Sequence, residues 1–196
     1  WDHDTGRQPF RLGGNSGATM CGDVDNDGDL DLLTSEIAHW WAGESSDKSD
    51  VLLNTSEGKG SFSFESVDRE QAGLLVPHVG GSWNEGGITA AVADLDGDAR
   101  NDIILGTSDY PDQFGWVFLQ RDPGAFEESG EALGIHHPCA VGVTVADFDR
   151  DGDLDVVFAS GTARDCADIW ATNEVHFYEN GGQAENGWLA VRLKGT

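Results

Sequence analysis

Apolar residues along this chain come in short runs separated by polar, glycine-rich stretches, and no segment sustains the 3.6-residue period of an amphipathic helix. The pattern predicts strands. Ala18–Cys21 and Leu32–Leu33 flank a first acidic stretch, and Val51–Asn54 forms the next strand. After a turn at Thr55–Gly60, Ser61–Glu65 alternates as a half-buried strand does. The order then repeats. Ile88–Ala93 and Ile103–Gly106 flank a second acidic stretch, and Trp116–Leu119 pairs with Ala125–Phe126 across a turn at Arg121–Gly124. A third round holds Ala140–Ala146, Val156–Ala159 and Val175–Tyr178. Similar pieces, Gln71-Ala-Gly-Leu74 and Ala132-Leu-Gly-Ile135, precede rounds two and three. Residues 35–50 read as a loop carrying His39-Trp40-Trp41, and helix should be minor.

Each round is therefore strand, acidic loop, strand, long loop, strand, tight turn, strand. Units of about 40–50 residues holding four short strands are the mark of a β-propeller blade. The acidic stretches begin at Asp23, Asp94 and Asp147, and the longer first interval implies an insertion, placed at 65–87. The predicted fold is all-β, a single segment over 1–196 with blades of four antiparallel strands in units 17–65, 88–127 and 140–182. Closing a propeller takes at least about four blades. The expectation is accordingly a partial propeller, or a segment of a larger chain or assembly that covers the exposed strand edges.

The acidic stretches are three versions of one loop: Asp23-Val-Asp-Asn-Asp-Gly-Asp-Leu-Asp31, Asp94-Leu-Asp-Gly-Asp-Ala-Arg-Asn-Asp102 and Asp147-Phe-Asp-Arg-Asp-Gly-Asp-Leu-Asp155. Side-chain oxygens at alternate positions of a tight loop converge on one point, and carboxylates so crowded repel one another unless a cation neutralises them. Oxygen-only ligands in this number suit Ca²⁺. The expected ligands are the side chains of Asp23, Asp25, Asp27 and Asp31 with the Asp29 carbonyl. In loop two they are Asp94, Asp96, Asp98 and Asp102 with the Arg100 carbonyl, and in loop three Asp147, Asp149, Asp151 and Asp155 with the Asp153 carbonyl. Up to three ions are expected. An EF-hand would need a bidentate Glu at position twelve, where Thr34, Leu105 and Phe158 stand, and helical flanks. Mg²⁺ prefers to keep its waters, and Zn²⁺ lacks Cys or His ligands in the loops. Gly28 and Gly152 at position six fit a turn with positive φ. Ala99 at the same place should cost stability or reshape the turn, making site two the weakest.

These loops, with Gly22 and Ala146 before loops one and three, resemble the FG-GAP or VCBS repeat of integrin α-subunit propellers and bacterial secreted proteins. The tail from Tyr178-Glu-Asn-Gly-Gly182 into Asn186-Gly-Trp-Leu-Ala-Val-Arg-Leu-Lys-Gly195 resembles the junction into the ASPIC/UnbV region of cartilage acidic protein-like sequences, placing the start of that segment at 183–196. The resemblance implies a calcium-binding propeller, usually of about seven blades, that is secreted, on the cell surface or periplasmic, with cell adhesion among the family's roles.

Composition narrows the partners. Lys and Arg number 11 against 36 Asp and Glu, a net charge of −25. That excludes nucleic acid, whose binding rests on basic residues, and opposes an anionic membrane surface. No run of about 18 apolar residues suggests a membrane span, no signal peptide is visible, and Trp1 in place of Met suggests a processed or truncated start. Cys139 and Cys166 can pair in an oxidising compartment, or all three cysteines, Cys21 included, remain thiols. Trp40, Trp41, Trp83 and Trp116 can form a stacking surface for a glycan or protein, or simply pack between blades; Trp170 belongs to the same group. His136-His137 reads as a solvent-facing loop. No nucleophile, zinc-protease or phosphate-loop motif occurs. The sequence thus predicts a binding or assembly module that is not an enzyme, against a polysaccharide-acting propeller enzyme or a structural subunit as alternatives.

Overall fold

A computed structural model describes residues 15–45, 48–78, 81 and 83–182; the ASPIC/UnbV-like segment at 183–196 lies outside them. Three antiparallel meanders follow one another. The first comprises β1 (Asn15–Gly22), β2 (Asp31–His39), β3 (Asp50–Asn54) and β4 (Phe64–Ser66). The second comprises β5 (Asn84–Ala93), β6 (Asp102–Thr107), β7 (Trp116–Asp122) and β8 (Ala125–Glu128). The third has β9 (Ala140–Ala146), β10 (Asp155–Ser160) and β11 (Glu174–Tyr178). The far end of β2 also pairs with β5, through Ile37–Gly86, Ala38–Glu85 and His39–Asn84, so the first two meanders form one curled sheet. The chain is nearly all-β and forms a partial propeller.

The middle blade is buried on both faces, which explains why its strands read as continuous apolar runs. Successive strand side chains point to opposite faces. Ile103, Leu105 and Phe118 enter a core shared with Leu33 and Val51 of blade one. Ile104, Val117 and Leu119 enter a second core with Ala140, Val156 and Phe158 of blade three. Each such side chain stabilises the fold by roughly 1.5–3 kcal/mol. Two glycines set how closely the blades approach. A Cβ at Gly17 of β1 would lie 2.7 Å from the Ile88 backbone of β5. One at Gly106 of β6 would lie 2.8 Å from the Ala140 carbonyl of β9.

Three expectations need correction. Residues 35–39 are strand, not loop: Ser35 and Glu36 are polar yet buried, with Ser35 Oγ accepting from Ala18 N at 2.8 Å and Ser49 Oγ accepting from Glu36 N at 2.9 Å. Their polarity breaks the apolar run, although the Ser35 hydroxyl is bonded to the Ala18 backbone on both its donor and acceptor sides. A 3-10 helix, Trp40–Ser45, follows. The Ser61–Glu65 strand shrinks to Phe64–Ser66, all exposed, with Phe62 89% exposed, because no layer covers this hairpin. The insertion begins after Ser66 and ends at β5, which starts at Asn84. It contains α1 (Arg69–Ala72), capped by Asp68, which accepts from Glu70 N and Gln71 N. Gly73 and its counterpart Gly134 both have φ of 75°, and they deliver Leu74 and Ile135 to the two cores. The insertion is fastened at Glu85, whose buried carboxylate meets Arg69 Nη2 at 3.0 Å, His78 Nε2 at 2.8 Å and Lys48 Nζ at 3.5 Å.

Cys139 and Cys166 form a disulfide across 27 residues, and Cys21 is a free, exposed thiol. Both bonded cysteines are buried, and Cys139 N donates to Gln113 O of blade two at 3.1 Å. Loop-closure entropy assigns a link of this span about 3–4 kcal/mol. The double variant Cys139→Ser/Cys166→Ser should lose about that much in urea unfolding, whereas an unchanged midpoint would show that the bond adds nothing.

Candidate metal centres

Each acidic loop joins the first two strands of a blade and turns through two left-handed residues. These are Asn26 (φ 62°) and Gly28 (φ 95°), Gly97 (72°) and Ala99 (69°), and Arg150 (70°) and Gly152 (104°). Position six was expected; position four, where glycine appears only in loop two, was not. Ala99 adopts the turn without reshaping it, so it carries the steric cost of a left-handed side chain. Ala99→Gly removes that cost, partly offset by greater freedom of the unfolded chain. It should stabilise the protein by about 0.5 kcal/mol, readable as a small rise in urea midpoint; a loss would contradict the strain.

The double turn aims carboxylates inward and fixes them with backbone N–H groups. Asp23 accepts from Asp27 N and Gly28 N, both at 3.0 Å, and Asp94 from Asp98 N at 3.1 Å and Ala99 N at 2.9 Å. At position five, Asp27, Asp98 and Asp151 accept from the N–H of Asp29, Arg100 and Asp153 at 2.8, 2.9 and 3.0 Å. Carboxylate oxygens of Asp23, Asp25 and Asp27 lie within 4.8 Å of one another; so do those of Asp94, Asp96 and Asp102, and of Asp147, Asp149 and Asp155. Three of the four predicted side chains thus gather in every loop, with Asp31, Asp98 and Asp151 standing beside the clusters.

Each cluster also holds a buried carboxylate oxygen with no hydrogen-bond partner: Oδ1 of Asp25, of Asp96 and of Asp147. Burial is the largest force raising the pKa of Asp25, with the charges of Asp31, Asp27 and Asp23 adding to it. Burial likewise raises Asp96, helped by Asp98 and Asp94 and opposed by the Asp98 N–H and by Arg121. A buried, unpartnered oxygen among like charges is costly, and the donors present are of the kind that could hold a hard divalent cation.

The ninth-position aspartates also anchor the backbone, a job the sequence does not announce. Asp31, Asp102 and Asp155 are buried, and both oxygens of each accept from backbone N–H groups. Asp31 takes Val24 N at 2.6 Å and Asn54 N at 2.8 Å. Asp102 takes Leu95 N at 2.7 Å and Gln120 N at 2.8 Å. Asp155 takes Phe148 N and Asn180 N, both at 2.9 Å. Each ties its loop to the end of the blade's third strand. Burial pushes Asp102 up to about 6 against the pull of the Gln120 and Leu95 N–H groups. The residues donating from the third strand, Asn54, Gln120 and Asn180, escaped the sequence reading. The available signal is an amide side chain recurring at the end of the third strand of each unit or just past it.

Loop two differs in a second way. Arg100 pairs with Asp98 and donates to Gln120 O at 3.1 Å, while Arg121 Nη1 lies 3.4 Å from Asp96 Oδ2. Two guanidinium groups therefore supply part of the positive charge that a cation would bring.

Outside the loops, the aromatic candidates separate. Trp40 and Trp41 are 47% and 68% exposed, and Trp41 stacks on His39. Trp83 is half-buried, stacked on His78 at 3.9 Å with Lys48 above it, and Trp116 is likewise half-buried, packed against the first core. His136 is exposed, but His137 is buried, contrary to the solvent-facing expectation. Its Nδ1 lies 3.0 Å from Tyr178 Oη and its Nε2 2.6 Å from Ser160 Oγ. Burial, with the neighbouring His176 charge, lowers it to about 4, as suits a neutral imidazole serving as packing.

An FG-GAP-like repeat matches residues 94–158, from the start of loop two to β10. No curated protein matches the chain.

Proposed function

We propose that this chain is a calcium-clamped propeller module that recognises a protein or glycan outside the reducing cytosol and is not an enzyme. The observation that carries the cation is the buried, unpartnered carboxylate oxygen present in each of three loops built alike. Residues Asp23, Asp25 and Asp27 would hold one ion, Asp94, Asp96 and Asp102 a second, and Asp147, Asp149 and Asp155 a third. Such an ion supplies charge neutralisation and fixes the joint between two strands. The Cys139–Cys166 disulfide supports an oxidising location. Among the described residues no helix is long and apolar enough to cross a membrane. The exposed Trp40 and Trp41 rings support recognition at the opposite ends of the strands, since flat aromatic surface binds partners at little entropic cost.

Calcium titration followed by native mass spectrometry tests the metal reading. Three ions should add, that of loop two at the highest concentration, and Asp147→Asn/Asp149→Asn should remove one. No calcium adduct above that of an acidic control protein would overturn it.

A further inference from the structure

The three loops are linked by side-chain amides outside the set of carboxylates. The Gln120 backbone N–H closes on Asp102 of loop two, while its buried side chain reaches loop one, donating to the Val24 carbonyl and accepting from Asn26 Nδ2 at 3.1 Å. Asn101, inside loop two, donates to the Asp23 carbonyl at 2.7 Å. The arrangement recurs one blade further on. Asn180 N–H closes on Asp155 of loop three, and Asn180 Nδ2 donates to the Leu95 carbonyl of loop two at 2.8 Å. At both junctions the amide holds the second-position carbonyl of the preceding loop, whose own N–H is bonded to the ninth-position aspartate. Asn54 of blade one, with no preceding loop among the described residues, turns to the Leu30 carbonyl of its own loop at 3.2 Å.

Resting on the cation reading above, we infer that Gln120, Asn101 and Asn180 are positioning residues that couple ion binding in neighbouring loops. Ordering a loop around an ion costs conformational entropy. When loop two is closed, Asp102 and Gln120 are fixed, and with them the backbone at positions one and two of loop one. Part of the ordering cost of loop one is then already met, so its ion binds more tightly. The coupling is reciprocal, because it is a free energy shared by the two sites. Asn180 extends it from loop three to loop two.

The test follows site-specific isotherms by titrating ¹⁵N-labelled protein with CaCl₂ and observing the amide signals of Gly28 in loop one and Gly152 in loop three. Disabling loop two with Asp94→Asn/Asp96→Asn should weaken binding at Gly28 by about fivefold or more. Asn101→Ala and Gln120→Ala should each weaken Gly28 binding comparably and leave Gly152 within about twofold, a selectivity that general loosening would not produce. In either background the loop-two double variant should add no further loss at Gly28. Asn101 is half-buried, so Asn101→Ala carries the test if Gln120→Ala does not fold. An unaltered Gly28 isotherm on disabling loop two, or equal losses at Gly28 and Gly152 in Asn101→Ala, overturns the coupling while leaving the cation sites standing. No calcium-dependent shift in any loop overturns the cation reading and the coupling with it.

Discussion

Asp102→Ala should destabilise the protein by about 2–6 kcal/mol, since an unsatisfied buried N–H costs about 1–3 kcal/mol and two are created. Asp102 is fully buried and is the acceptor for Leu95 N and Gln120 N. Alanine cannot replace either bond, and water has little access. The loss should appear with or without calcium, because the two N–H groups need their acceptor whether or not an ion is present. Asp96→Asn, by contrast, keeps the shape and removes a charge from the cluster; its cost should appear only in calcium, with a neutral or favourable effect in chelator. Asp102→Asn should fall between, keeping one acceptor oxygen and turning an amide donor toward the other N–H. Urea unfolding of these three variants in calcium and in chelator separates the two kinds of aspartate. A cost for Asp102→Ala below about 0.5 kcal/mol, the range of an ordinary surface substitution, would contradict the structural role.

Much of this division was hidden in a sequence where all the aspartates look alike. The repeats, their strand flanks, the alternation of carboxylates and the left-handed turn at position six were legible because they follow from local geometry and from three copies side by side. The Trp116–Leu119 and Ala125–Phe126 pairing was legible for the same reason, since the turn between them is short and carries its own signal. What lay beyond reach depended on contacts distant in sequence. Position nine of each loop reads as one more ligand, and nothing local shows that Asn54, Gln120 or Asn180 also arrives from the third strand to donate to it. Residues 35–39 carry Ser, Glu and His, which in isolation suit a loop. They form strand because β1 and β5 pair with β2, the Ser35 hydroxyl donates to the Ala18 carbonyl and the Glu36 backbone N–H donates to Ser49 Oγ. His137 looked solvent-facing beside His136, and only the fold supplies Tyr178 and Ser160 to hold it inside. The guanidinium groups on loop two follow the same rule: Arg100 is within the loop, but Arg121 comes from the end of β7.

Thermal unfolding in calcium and in excess EGTA addresses the central claim most directly. With free calcium about a hundredfold above each dissociation constant, every bound ion adds about 2.7 kcal/mol. A domain of this size gains about 2–4 °C in Tm per kcal/mol. Three filled loops should therefore raise Tm by more than about 10 °C, with most of the gain lost in EGTA and restored by added calcium but little by equimolar magnesium. Equal melting temperatures in calcium and in EGTA would contradict the account and leave the acidic loops held by hydrogen bonds alone.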